Sequence, residues 1–146
     1  MSIRALLAID VDDPTHVALV EEAEQWVARL AGTLDLLHIE GGKYGFGFVS
    51  NPNARKVLEA EARQMRASDQ DTLEALLTSL PADLRGKATI AEGDPVTEIL
   101  SAALTYDVLL IGTHGRRGLS QLWLGSVAEK VIRKAPGPVL VLRLAR

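Results

Sequence analysis

Towards its end the chain reads as strand, glycine-rich loop, helix and strand in immediate succession. The first apolar run is Val108-Leu109-Leu110-Ile111, and Gly112, Gly115, Gly118 and Gly125 follow it. A helical pattern opens at Ser126, and a second apolar run, Val139 to Leu144, closes the stretch. Two strands joined through a helix belong side by side and parallel in one sheet. A glycine-rich loop lets a ligand approach bare backbone, and a helix start presents unpaired N–H groups. The stretch therefore implies a parallel sheet and an anion site at the end of one of its strands.

The rest of the chain repeats the alternation. Ile3 to Ile9 is apolar except for Arg4, which suits a strand covered on both faces. Asp12 or Asp13 before Pro14 reads as the acceptor cap of a helix over 15–30. Val20, Ala23, Val27 and Leu30, widened by Trp26, form its apolar stripe, and Gly32 is placed to end it. Leu34 to Ile39 reads as a second strand, and 40–53 as a loop. Ala54 to Leu80 reads as a long helix stopped by Pro81, with a bend or a solvent-facing stretch at the polar segment 66–72. Lys87 to Ala91 is a third strand, and Asp94-Pro95 starts the next helix. Ser126 and Glu129 have the S-x-x-E spacing of a capping box, with Val127, Val131 and Ile132 facing inward. The order β-α-β-α-β-α-β-α-β predicts one domain over 1–146, a doubly wound open parallel sheet of five strands with helices on both faces.

Composition narrows the function. A net charge of -3 leaves no basic footprint for nucleic acid. The absence of cysteine removes disulfides, thiolate catalysis and cysteine-based metal sites. No apolar run approaches the ~20 residues of a membrane span. A soluble, cytoplasmic protein with no membrane partner is expected.

In such a sheet ligands bind beyond the carboxyl ends of the strands, where strand order reverses. The residues there are Ala8, Ile9 and Asp10 from the first strand, Ile39 from the second, and Ile111 and Gly112 from the fourth. Asp10 can accept from a ribose hydroxyl or an adenine amino group, while Asp12 and Asp13 are read as structural. Ser126 either caps its own helix or donates to a phosphate. Arg116 and Arg117 are either solvated loop charges or phosphate contacts, and His114 lies in the same loop. His16 is read as a surface residue and His38 as core or near-core. No histidine pair has metal-ligand spacing. Neither G-x-x-x-x-G-K-[ST], nor G-x-G-x-x-G after the first strand, nor G-x-S-x-G occurs.

Gly112-Thr113-His114-Gly115, nine residues and then Gly125-Ser126 make G-2x-G-9x-G-[ST]. This resembles the ATP-binding branch of the universal stress protein family, and the likeness covers nearly the whole chain. It implies a Rossmann-like, adenine-nucleotide α-hydrolase-like sheet with strand order 3-2-1-4-5, and a homodimer built through Val139 to Leu144. It places adenine and ribose against Ala8, Ile9, Asp10, Ile39, Ile111 and Gly112, and phosphates against Gly115, Gly125, Ser126 and Val127. Mg2+ or Mn2+ commonly accompanies the phosphates. Ala128 stands where some ATP-binding relatives carry threonine. The chain offers phosphate donors but no clear general base, which favours ATP binding, with slow hydrolysis at most, in a stress-response or signalling module. The alternative is a dimeric interaction module of the same fold that does not use nucleotide.

Overall fold

The computed structural model describes residues 2–40, 49–113 and 125–144. Its strands are β1 (Ile3–Ala8), β2 (Gly32–Glu40), β3 (Arg85–Glu92), β4 (Val108–Gly112) and β5 (Val139–Leu142). They alternate with helices α1 (His16–Arg29), α2 (Pro52–Ser79), α3 (Pro95–Ala103) and α4 (Ser126–Lys134). The strands form one five-stranded sheet in the order β3-β2-β1-β4-β5, with every pairing parallel. The expected architecture is the observed one.

Side-chain alternation divides the strands between two helical layers. Ala5, Leu7, Leu34, Leu36 and Leu110 pack against Leu19, Val20, Ala23 and Val27 of α1 and Leu73, Leu76 and Leu77 of α2. Leu6, Leu37, Leu109 and Ile111 pack on the other face against Ile99 and Ala103 of α3 and Ala128 and Val131 of α4. Each fully buried leucine or valine in these layers contributes roughly 1.5–3 kcal/mol of transfer free energy.

Several element ends differ from the sequence-based expectation. Asp13 is buried, and its Oδ1 accepts from the Thr15 N–H at 2.8 Å and the Thr15 hydroxyl at 2.6 Å. Those bonds close a turn ahead of the helix, so α1 begins at His16 with Thr15 as its N-cap, and neither Asp12 nor Asp13 caps it. Ala31, with φ of 53°, makes the left-handed exit from α1 in place of Gly32. Gly32 already belongs to β2, where a Cβ would lie 2.6 Å from the Ile3 carbonyl oxygen. The glycine is there for strand contact. α2 runs unbroken through 66–72, which is the solvent-facing stretch expected as the alternative to a bend, and it starts from Asn51, whose side chain accepts from the N–H groups of Asn53 and Ala54. Asp94 caps α3 as expected, accepting from the Thr97 N–H at 2.9 Å and the Thr97 hydroxyl at 2.8 Å. β5 ends at Leu142, two residues short of the apolar run.

The amino-terminal edge of the sheet is braced by polar contacts. Buried Asp35 accepts from the Tyr106 hydroxyl at 2.5 Å through Oδ2 and from the Lys87 N–H at 3.0 Å through Oδ1. The Arg4 guanidinium lies 3.8 Å from Oδ2 and 4.8 Å above the Tyr106 ring. Burial first, and then the neighbouring Asp35 carboxylate, push the Tyr106 hydroxyl up to about 12. β1, β2, β3 and the entry to β4 are thereby joined around one carboxylate.

Candidate functional site

β1 sits between β2 and β4, with Ala8 in register with both Leu37 and Ile111. The chain leaves β1 toward α1 on one face, while α4, which follows β4, lies on the other. This is the switch point of the sheet, and the carboxyl ends of β1 and β4 flank it.

The candidate residues there do not share one face. Ala8, Ile39 and Ile111 all belong to the layer under α3 and α4. Ile9 is 5% exposed and packs in the opposite layer, and its N–H is already given to the Leu37 carbonyl at 2.9 Å. Asp10 stands just past β1 in a tight turn. Its Oδ1 accepts from the Asp12 N–H at 3.0 Å and its carbonyl from the Asp13 N–H at 3.1 Å. A Cβ on Gly112 would point toward Leu19 of α1, 3.0 Å from its Cδ1.

Thr113 was not among the candidates. Its N–H donates to the Leu142 carbonyl at 3.1 Å, extending the β4–β5 ladder by one residue. Its hydroxyl is buried and has no hydrogen-bond partner among the described residues. A buried hydroxyl without a partner costs free energy, so an orphan at the mouth of a glycine-rich stretch is an observation that a polar ligand there would explain. No sequence signal distinguishes it from any other threonine at a strand end.

The start of α4 overturns the capping-box expectation. Gly125 is the N-cap, Ser126 is the first helical residue, and no side chain among the described residues caps this end. Glu129 falls one position too late to reach back, and its Oε1 takes Arg133 Nη2 at 2.7 Å instead. Ser126 is exposed. Val127, expected to face inward, is 36% exposed, and the buried positions of α4 are Ala128 and Val131. The first N–H groups of α4 thus stand at the positive end of a helix with no side-chain acceptor among the described residues. His114, Gly115, Arg116 and Arg117 lie outside the described residues.

His38 is buried, as expected of a near-core residue. Its Nδ1 lies 3.1 Å from the Ile9 carbonyl and 3.4 Å from the Val11 nitrogen, and its Nε2 lies 3.9 Å from Asp69 Oδ2. Among the described residues no three histidine or carboxylate side chains converge as for a metal ion, and no helix is long and apolar enough to cross a membrane.

Known proteins share both sequence and fold with this chain. It is 36% identical over 88 residues to a universal stress protein of Thermus aquaticus, a match covering 58% of this chain and 62% of that protein's length. It is 28% identical over 144 residues to universal stress protein A homolog 1 of Coxiella burnetii, covering 94% and 93% of the two chains. The solved structure of protein MJ0577, whose biochemical function was assigned from structure, superposes with a TM-score of 0.78 at 22% identity over 100% of this chain and 99% of that one. A universal stress protein in complex with cAMP gives a TM-score of 0.60 at 19% identity, covering 99% and 100%. One from Archaeoglobus fulgidus in complex with dAMP gives 0.58 at 16%, covering 95% and 96%. At such identities the structural likeness is one of fold alone. The match to the universal stress protein family extends over residues 1–143, and the chain belongs to that family.

Proposed function

We propose that this chain is an adenine-nucleotide-binding universal stress protein that takes ATP at the β1–β4 switch point and acts as a single-domain dimeric signalling module. The observation that carries the reading is the uncapped start of α4, with Ser126 exposed at its first position. A helix start without a side-chain acceptor, following a glycine-rich stretch, suits phosphate oxygens. The orphan Thr113 hydroxyl at the end of β4 supports it independently. So do the fold's relatives crystallised with cAMP and dAMP.

In this reading Ala8, Ile39 and Ile111 give the base an apolar floor, Asp10 accepts from ribose or adenine, and Gly112 lets the ligand lie against backbone. Gly115, Gly125, Ser126 and the Val127 N–H take the phosphates, with His114, Arg116 and Arg117 beside them. A divalent cation, Mg2+ or Mn2+, supplies charge neutralisation when carried on the phosphate oxygens. With no general base assigned, the site favours binding over fast hydrolysis. The dimer is proposed through β5, a sheet edge whose Val139, Leu140 and Val141 are only half-buried.

The test is mass spectrometry of nucleotide released from the purified protein, followed by calorimetric titration with ATP and magnesium. Wild type is expected to bind, and Gly115→Val and Gly125→Val to lose binding. No heat and no rise in melting temperature at millimolar ATP would favour an interaction module that does not use nucleotide.

A further inference from the structure

We propose that His38 is a positioning residue for the nucleotide, holding from β2 the Ile9–Val11 backbone that carries Asp10. The inference rests on the nucleotide reading above and deepens it. His38 shares its face of β2 with Leu34 and Leu36, which pack under α1 and α2, whereas Leu37 and Ile39 face the other layer. It is 5% exposed, so it acts through the backbone it touches.

Its Nδ1 lies within reach of two backbone groups that flank Asp10, the Ile9 carbonyl at 3.1 Å and the Val11 N–H at 3.4 Å. One nitrogen cannot serve both. Protonated, Nδ1 donates to the Ile9 carbonyl; bare, it accepts from the Val11 N–H. In either tautomer the bond lands beside Asp10, just where the strand ladder ends. β1 stops at Ala8, and the Ile9 N–H to Leu37 bond is the last of ladder type on that side.

The far edge of the ring faces α2. Nε2 is 3.9 Å from Asp69 Oδ2, too long for a direct hydrogen bond. A leucine would fill this place in an apolar layer at lower desolvation cost, so the imidazole is explained by the bonds it makes. The position of Asp10, and with it the ribose and adenine contact, is thus set by a side chain that no ligand touches.

Three substitutions separate this from simple packing. His38→Asn keeps an amide where Nδ1 sits, His38→Gln puts one where Nε2 sits, and His38→Leu keeps neither. AMP is the probe, because it tests the base and ribose end with the fewest phosphates. Calorimetry is expected to show AMP binding weakened about five- to tenfold in the Leu and Gln variants, the order of one lost hydrogen bond, and within about twofold of wild type in the Asn variant. In the free protein, amide exchange at residues 10–12 is expected to quicken in the Leu and Gln variants but not in Asn, with Leu7 and Leu36 still protected in all three. Equal AMP binding by wild type and the Leu variant would overturn the inference alone, as would unchanged exchange at 10–12 or an Asn variant as weak as Leu. A wild type that does not bind AMP would overturn the nucleotide reading and this inference with it.

Discussion

Replacing Tyr106 by phenylalanine removes one oxygen from the middle of the polar brace and little else. The lost bond is 2.5 Å long and runs from a phenol to a carboxylate that is 7% exposed. A hydrogen bond to a charged group is worth about 1.5–3 kcal/mol net. Tyr106 is half-buried and Arg4, with half its side chain exposed, shares the same carboxylate oxygen, so solvent and the guanidinium screen the loss toward the lower figure. Asp35 also keeps the Lys87 N–H on its other oxygen. The expected cost is therefore about 1.5 kcal/mol, or about 3–6 °C in melting temperature for a chain of this size.

The pH dependence gives a second, independent arm. Below pH 10 folded and unfolded chains both hold the phenolic proton, and the bond contributes in full. The folded Tyr106 releases its proton only near 12, so between about 10 and 12 the unfolded chain ionises first and stability falls as pH rises. Tyr106→Phe lacks this loss. The gap between the two proteins in urea titrations is expected to be widest below pH 9 and to narrow steadily toward pH 12. An unchanged midpoint at pH 7, or a gap that stays constant to pH 12, would refute the reasoning.

Gly32→Ala drives a Cβ to 2.6 Å from the Ile3 carbonyl oxygen, which is backbone, and is expected to cost about 1–3 kcal/mol by denaturant midpoint. For Gly112→Ala the nearest atoms belong to the Leu19 side chain, which can turn aside, and the change is expected to cost less than about 1 kcal/mol. Ser126→Ala is expected to leave the melting temperature unchanged, because the hydroxyl caps nothing, while weakening ATP binding by about two- to tenfold in calorimetry. Asp94→Ala removes the cap of α3 and is expected to lower the melting temperature. The Thr97 N–H and hydroxyl hold the Asp94 carboxyl below its ordinary value, so the difference from wild type is full above pH 4 and disappears as pH falls through that lowered value.

The order of elements was legible because every strand but the largely polar β3 is an apolar run of strand length and each helix carries a stripe of three- and four-residue spacing. Runs apolar on both alternating faces also announced a sheet covered twice, as Leu6 and Leu7 in opposite layers bear out. What was illegible falls into two physical kinds. One is register at a helix start. Gly125 and Ser126 are both acceptable N-caps, and only the packing of Ala128 and Val131 chooses between them. The choice of Ala31 over Gly32 for the left-handed exit is of this kind too, decided by how closely β1 passes. The other kind is contact at long range. Tyr106 and Asp35 are 71 residues apart, and His38 reaches Ile9 across 29, and no local pattern records either pair.

The two ends of the sheet treat polar groups in opposite ways. At the amino-terminal edge both oxygens of Asp35 have donors, and Tyr106, Lys87 and Arg4 converge on them. At the carboxyl edge, among the described residues, the Thr113 hydroxyl is buried without a partner and α4 begins without a side-chain cap. A fold optimised only for stability would satisfy both ends, since each unsatisfied buried group costs about 1–3 kcal/mol. Proteins break such rules at sites that a ligand completes, and keep them elsewhere. The nucleotide reading proposed above would account for this contrast. It also explains why His38 is placed where it is. In the proposed reading, the β1 exit that presents Asp10 is held from β2 by an imidazole that stays out of the site.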